Sequence, residues 1–252
     1  MSYTKIERAT MINPVADEVI REQVRHALGL GLPEAVSGRP KGEPMIVFAG
    51  GPSLHASLGT AMRSRGFKVA AGSVHDHLRR MGVGFDAAVF LDPVEGMAGF
   101  LRDPDPRATY YVASQCHPAV FEALRGHRVV LWHAEVGVDV PELVGRELVG
   151  GGSTTALRCL HLGMWWGYGQ FEFHGLDSAL GRGEVHAYGH PNDEEERRNA
   201  REVVCRGRRF WCTPQMIAQA LDFQEVTRHF GKRFAVRVHG DGLIKEMAHP
   251  SL

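Results

Sequence analysis

The sequence predicts an α/β protein with a mostly parallel sheet, and three observations carry that prediction. Short apolar runs alternate with helical patterns from Pro44 onward. Two glycine-rich turns, Gly50-Gly51-Pro52-Ser53 and Gly150-Gly151-Gly152-Ser153-Thr154, each open a predicted helix. Two aspartates, Asp92 and Asp177, directly follow apolar strand candidates. In such sheets ligands gather at the carboxyl ends of the strands, where both turns and both aspartates are expected to fall. The expected architecture is Rossmann-like, helices covering both faces, with an N-terminal helical arm and a C-terminal hairpin–helix–strand extension.

Residues 13–30 read as an amphipathic helix, opened by Asn13-Pro14 and lined by Val19, Ile20, Val24, Ala27 and Leu28. A Pro- and Gly-containing stretch to Pro44 reads as a linker, so residues 1–43 are taken as an arm, a lid or an oligomer contact. Residues 44–252 form the main domain. Its strand candidates are Met45–Ala49, Lys68–Ala71, Ala87–Leu91, Thr109–Ala113, Val129–Trp132 and Phe171–His174. Helical stretches lie between them at Ser53–Arg65, Val74–Met81, Pro118–Leu124 and Ser153–Trp166. Glu202–Cys205 and Arg208–Cys212 flank Arg206-Gly207 and read as a hairpin. A helix over Pro214–His229 and a strand over Phe234–Val238 follow. The charged run Asp193–Arg198 reads as a solvated helix start capped by Asn192 or Asp193. The aromatic run Met164-Trp165-Trp166 reads as core packing rather than a stacking platform. Gly240-Asp241-Gly242 reads as a tight turn.

Composition excludes several classes. In 252 residues, Lys+Arg and Asp+Glu both number 29, so nothing marks a nucleic-acid or anionic-membrane partner. The four cysteines, Cys116, Cys159, Cys205 and Cys212, form no C-x-x-C pair. No signal-peptide core or spanning apolar run is visible, which predicts a soluble cytoplasmic protein. P-loop, dinucleotide and nucleophile-elbow motifs are absent, as is the Glu that a zincin helix needs between His186 and His190.

What remains points to a phosphorylated donor. A strand that runs through a glycine turn into a helix offers backbone N–H groups and a helix dipole to an anion. Asp92 and Asp177 could take a ribose hydroxyl, a substrate amine or a divalent cation such as Mg2+, or could merely cap helices. His186 and His190, with Tyr188 between them, could supply a general base or a clamp on a leaving phosphate.

Taken in order, Gly50-Gly51-Pro52-Ser53-Leu54, Leu91-Asp92-Pro93, Gly151-Gly152-Ser153-Thr154, Gly175-Leu176-Asp177 and His186-Ala187-Tyr188 resemble the MptE-like family. That family is named for a 6-hydroxymethylpterin diphosphokinase. The same residues resemble the core of motility-associated flagellin glycosyltransferases and, more distantly, a bacterial sialyltransferase fold. The resemblance spans residues 44–192 and implies a transferase with a nucleotide-activated donor. Gly50, Gly51, Pro52, Ser53, Gly151, Gly152, Ser153 and Thr154 would hold that donor with Asp92 and Asp177. This chain lacks the asparagine of the sialyltransferase turn. Asp177, His186 and His190 are the implied catalytic residues, with His190 matching the sialyltransferase base and His186 the family's histidine. In the diphosphokinase reading Asp92 and Asp177 would hold Mg2+ and ATP, and a pterin would be the acceptor. In the glycosyl reading the donor is a nucleotide sugar and the acceptor a small molecule or glycan. The alternative is a non-catalytic nucleotide- or sugar-phosphate-binding protein, and the arm and the Trp165-Trp166 region could support a homo-oligomer.

Overall fold

A computed structural model describes residues 14–230 and 233–248. Nine strands and eight α-helices are assigned among these. The strands are β1 (Met45–Phe48), β2 (Phe67–Ala71), β3 (Ala87–Phe90), β4 (Thr109–Ala113), β5 (Arg128–Trp132), β6 (Gln170–His174), β7 (Arg201–Cys205), β8 (Arg208–Cys212) and β9 (Ala235–His239). The helices are α1 (Asp17–Gly29), α2 (Leu54–Arg63), α3 (His75–Arg80), α4 (Pro118–Ala123), α5 (Thr155–Trp165), α6 (Asp193–Asn199), α7 (Pro214–Phe230) and α8 (Leu243–Met247).

Seven strands form one sheet in the order β5-β4-β3-β2-β1-β6-β9, and every pairing is parallel. Parallel strands covered on both faces must be apolar throughout, and β1 and β3 are fully buried along their length. Helix α5 lies on one face, its Gly163 pressed against Met45 and Phe171, and α7 joins it through Phe223 on Phe173. The other face carries α2, whose Ser64 reaches Glu172, and α3, whose His75 lies beside Phe90. The chain lays down β1 to β5 in one direction and then returns to place β6 on the far side of β1. Strand order therefore reverses at β1/β6, and the ligand crevice of an open α/β sheet lies above that reversal.

The hairpin β7–β8 stands apart from the sheet as an antiparallel pair. The C-terminal strand ends one residue later than the sequence suggests, and α8 follows the Gly240-Asp241-Gly242 turn. The first helix begins at Asp17; its expected start at Asn13 lies outside the described residues. Its Ile20 and Val24 bury against Val140 and Leu143. The stretch after it hydrogen-bonds onto the body, with Ala35 N–H donating to Leu131 O and Gly38 N–H to Trp165 O. Trp166 is buried against Tyr111, which is core packing as expected.

Candidate functional site

The first glycine turn leaves β1 directly above the strand reversal, and two of its amides are paired inside the protein, while the Ser53 hydroxyl is buried without a partner. Gly51 N–H donates to Gly175 O, and Ser53 N–H donates to Asp177 Oδ2 at 2.8 Å. Asp177 is only 4 % exposed, and burial pushes its carboxyl up from the ordinary value, against the pull of its hydrogen bonds. A Cβ on Gly51 would overlap this carboxylate and the Gly175 carbonyl. Pro52 packs close to Gly181.

A loop is laid over this turn. Ala187 N–H donates to Gly50 O at 2.9 Å, and a Cβ on Gly50 would come within 2.5 Å of the Tyr188 hydroxyl and 3.3 Å of His186 Cδ2. Glycine at position 50 thus lets the His186–His190 loop settle onto the end of β1. The Tyr188 hydroxyl bonds Ser73 Oγ at 2.7 Å, beyond the end of β2, and its burial pushes the phenol up. His77 stacks on Tyr188 and shares a 2.8 Å hydrogen bond with His55. Burial first, then the neighbouring His55, holds His77 below the usual imidazole value.

The two sequence-predicted histidines meet and take different roles. His186 Nδ1 lies 2.7 Å from Asp193 Oδ1. A carboxylate only accepts, so Nδ1 carries a proton and donates it to Asp193, while the Cδ2 edge of the ring faces Gly50. His190 is sandwiched between His186, at 4.2 Å, and Phe100, at 5.2 Å. Burial and the adjacent His186 bring it down to about 4, so it is neutral at pH 7. Asn192 N–H donates to its Nδ1, which puts the ring proton on Nε2. The two rings therefore differ in what Nδ1 does: it donates to Asp193 in His186 and accepts from Asn192 N–H in His190. Beside them a cleft of about 450 Å3 is lined by Phe100, Arg102, His190, Asp193 and Arg197 among others.

The second glycine turn is also closely packed, with Gly150 against Glu135 and Gly151 against the His161 ring, but its amides are paired differently. Gly151 and Gly152 adopt φ of +78° and +72°, and a Cβ on Gly152 would collide with Leu157. Thr154 caps α5, its hydroxyl accepting from Leu157 N–H at 3.2 Å. The amides of Thr155 and Ala156 keep no partner among the described residues. Beneath them the buried Arg158 donates to the carbonyls of Val149, Glu135 and Gly152. Burial brings its guanidinium down to about 10, which leaves it charged at pH 7. Asp92 lies opposite, its Oδ2 accepting from Thr155 Oγ1 at 3.3 Å. Part of its surface stays open, yet enclosure by protein pushes its carboxyl up. Gln23 of α1 steadies this loop through Pro93 O.

Asp92 and Asp177 are not brought together. They follow β3 and β6, three strand spacings or about 14 Å apart. They do not fit around a single Mg2+, whose oxygen ligands lie about 2 Å from the ion. Sequence reasoning missed His55, Ser73, His77, Phe100 and Arg102, which come from other elements. It offered Asn192 or Asp193 as a helix cap; Asn192 holds that place, without a side-chain cap bond, and Asp193 pairs instead with the histidine seven residues earlier.

A family model for 6-hydroxymethylpterin diphosphokinase MptE-like proteins matches residues 28–183. The chain belongs to the MptE-like family. Among solved structures it is similar to the MAf glycosyltransferase from Magnetospirillum magneticum AMB-1, with a TM-score of 0.63 and 11 % identity. That alignment covers 92 % of this chain and 39 % of the other, so the likeness is one of fold and this MptE-like chain spans well under half the length of that protein. No curated protein matches it. Among the described residues no helix is long and apolar enough to cross a membrane.

Proposed function

We propose that this protein is a transferase that binds a nucleotide-activated donor and passes a group to an acceptor hydroxyl. The observation that carries the reading is the Asp193–His186 pair, whose ring lies against Gly50 at the strand reversal. The donor's phosphates sit on the second turn, where free amides, the α5 dipole and the buried Arg158 all favour negative charge. Asp92 takes a ribose hydroxyl. The acceptor enters through the cleft beside Phe100 and Arg102, and His186 Nε2 removes its hydroxyl proton as the oxygen attacks. The bond from the donor carbon to the phosphate oxygen breaks, and the nucleotide leaves with that electron pair. His190, neutral and carrying its proton on Nε2, donates a hydrogen bond to the reacting groups.

Glycosyl transfer from a nucleotide sugar fits this arrangement best, because a positioned base serves it without a metal. The family's description favours a second reading, diphosphate transfer from ATP to a hydroxymethylpterin-type acceptor with Mg2+. There the same base would act on the pterin's hydroxymethyl group. The test is His186→Ala assayed against a panel of nucleotide sugars and ATP, with and without Mg2+. Turnover is expected to fall about 10²–10⁴-fold with nucleotide affinity retained. A wild-type protein that binds a nucleotide and turns nothing over would instead be a binding module.

A further inference from the structure

We propose a divalent transition-metal site, with zinc as its natural probe, formed by Glu172, His174 and His239 on the face of the sheet under α2. It is separate from the His186 cluster and goes beyond the transferase reading. Glu172 and His174 are two apart on β6 and so share a face, and His239 lies directly opposite His174 on β9. Their ligand atoms all lie within 4.8 Å of one another. Glu172 Oε2 is 3.8 Å from His174 Nε2 and 3.4 Å from His239 Nε2. The two rings are stacked 4.2 Å apart, so one of them turns about its χ2 for both lone pairs to meet a single ion.

The second observation is a set of unmatched polar atoms. His174 is fully buried and neither of its ring nitrogens has a hydrogen-bond partner. His239 Nε2 is also buried without one. Buried polar groups are almost always satisfied, so two imidazoles left in this state beside a carboxylate form a ligand set for a cation. Two neutral imidazoles and one carboxylate suit zinc with an open fourth position, whereas Mg2+ and Ca2+ call for oxygen. Ser64 Oγ donates to Glu172 Oε2 at 3.0 Å and would orient the ligating carboxylate. His239 and Glu172 keep about a fifth of their side chains exposed, which gives the ion a way in. Arg237, 3.7 Å from Glu172 Oε1, is mostly in solvent and can swing away.

A bound ion would clamp β9, the edge strand, to β6. The residue after His239 is Gly240, whose Cα packs against Ser53 and Asp177. The clamp would therefore stiffen the wall behind the first glycine turn.

The experiment is titration of the metal-stripped full chain with Zn2+ by calorimetry and with Co2+ by visible absorption. We expect one equivalent bound, a d–d spectrum of low coordination number and a higher melting temperature. Glu172→Gln and His239→Gln should each weaken binding by more than about a hundredfold, beyond the loss of an outer-shell partner. His190→Ala should leave affinity unchanged. Absence of binding to the wild type, affinity unchanged in both ligand variants, or loss on His190→Ala would overturn the site. Should the ligand variants not fold, ring ¹⁵N spectra of the wild-type histidines decide: zinc must move two imidazoles to metal-bound shifts, and unchanged spectra overturn the proposal.

Discussion

The two glycine turns look alike in sequence and are paired differently in the fold. At Gly50–Ser53 the amides of Gly51 and Ser53 are taken by Gly175 O and Asp177, and a histidine-bearing loop lies on top. At Gly150–Thr154 the chain passes through two left-handed glycines into α5, and the amides of Thr155 and Ala156 stay free. A glycine turn before a helix is thus tied to a neighbouring strand in one place, and in the other is the turn proposed to seat the donor's phosphates. A strand-end carboxylate stands at each turn: Asp177 takes the Ser53 amide at the first, whereas Asp92 takes the Thr155 hydroxyl at the second.

The comparison can be broken at several points. The largest expected effect is on chemistry. Asp193→Asn should cut turnover by about 10²-fold or more, since the amide no longer fixes His186 with its proton on Nδ1. Nucleotide affinity should hold, and a parallel loss of both in titration and rate assays would count against the division of roles. Next comes the first turn. Asp177→Ala leaves the part-buried Ser53 N–H unpaired and should cost about 1–3 kcal/mol in urea unfolding. If the first turn were instead the phosphate seat, removing that carboxylate would free its amide and strengthen nucleotide binding. At the second turn, Thr154→Ala removes the cap of α5 and should cost about 1 kcal/mol of stability. It should also weaken nucleotide binding about three- to tenfold, because it loosens the helix end proposed to hold the donor's phosphates.

The smallest effect is acid sensitivity. His174 and His190 sit near 4 in the folded protein, below the value of about 6.5 in an unfolded chain. Between those values the unfolded state binds more protons, so stability is full above pH 6.5 and is lost as the pH falls towards 4. Melting temperatures measured across that window should decline steadily. A flat profile would mean that neither ring is held neutral by the fold.

Much of this was legible in the sequence. Alternating apolar runs and helical patterns place β1 to β6, because a doubly covered strand must be apolar along its length. The Asp92 and Asp177 positions follow from the same pattern. The meeting of His55, His77 and Ser73 with Tyr188 was not legible, since those residues leave α2, α3 and the end of β2 and converge only after the sheet forms. Nor does the sequence tell that Asp177 occupies Ser53's amide, a contact across 124 positions. The Glu172–His174–His239 cluster depends on the register of β6 against β9, which a strand pattern does not specify.

The most direct test is titration of the wild type and Thr154→Ala with CMP, a UDP-sugar, a GDP-sugar and ATP, each with and without Mg2+. The account predicts that at least one nucleotide binds the wild type and binds Thr154→Ala more weakly. Binding of none of them, or equal binding by both proteins, would contradict the second turn as the donor's seat.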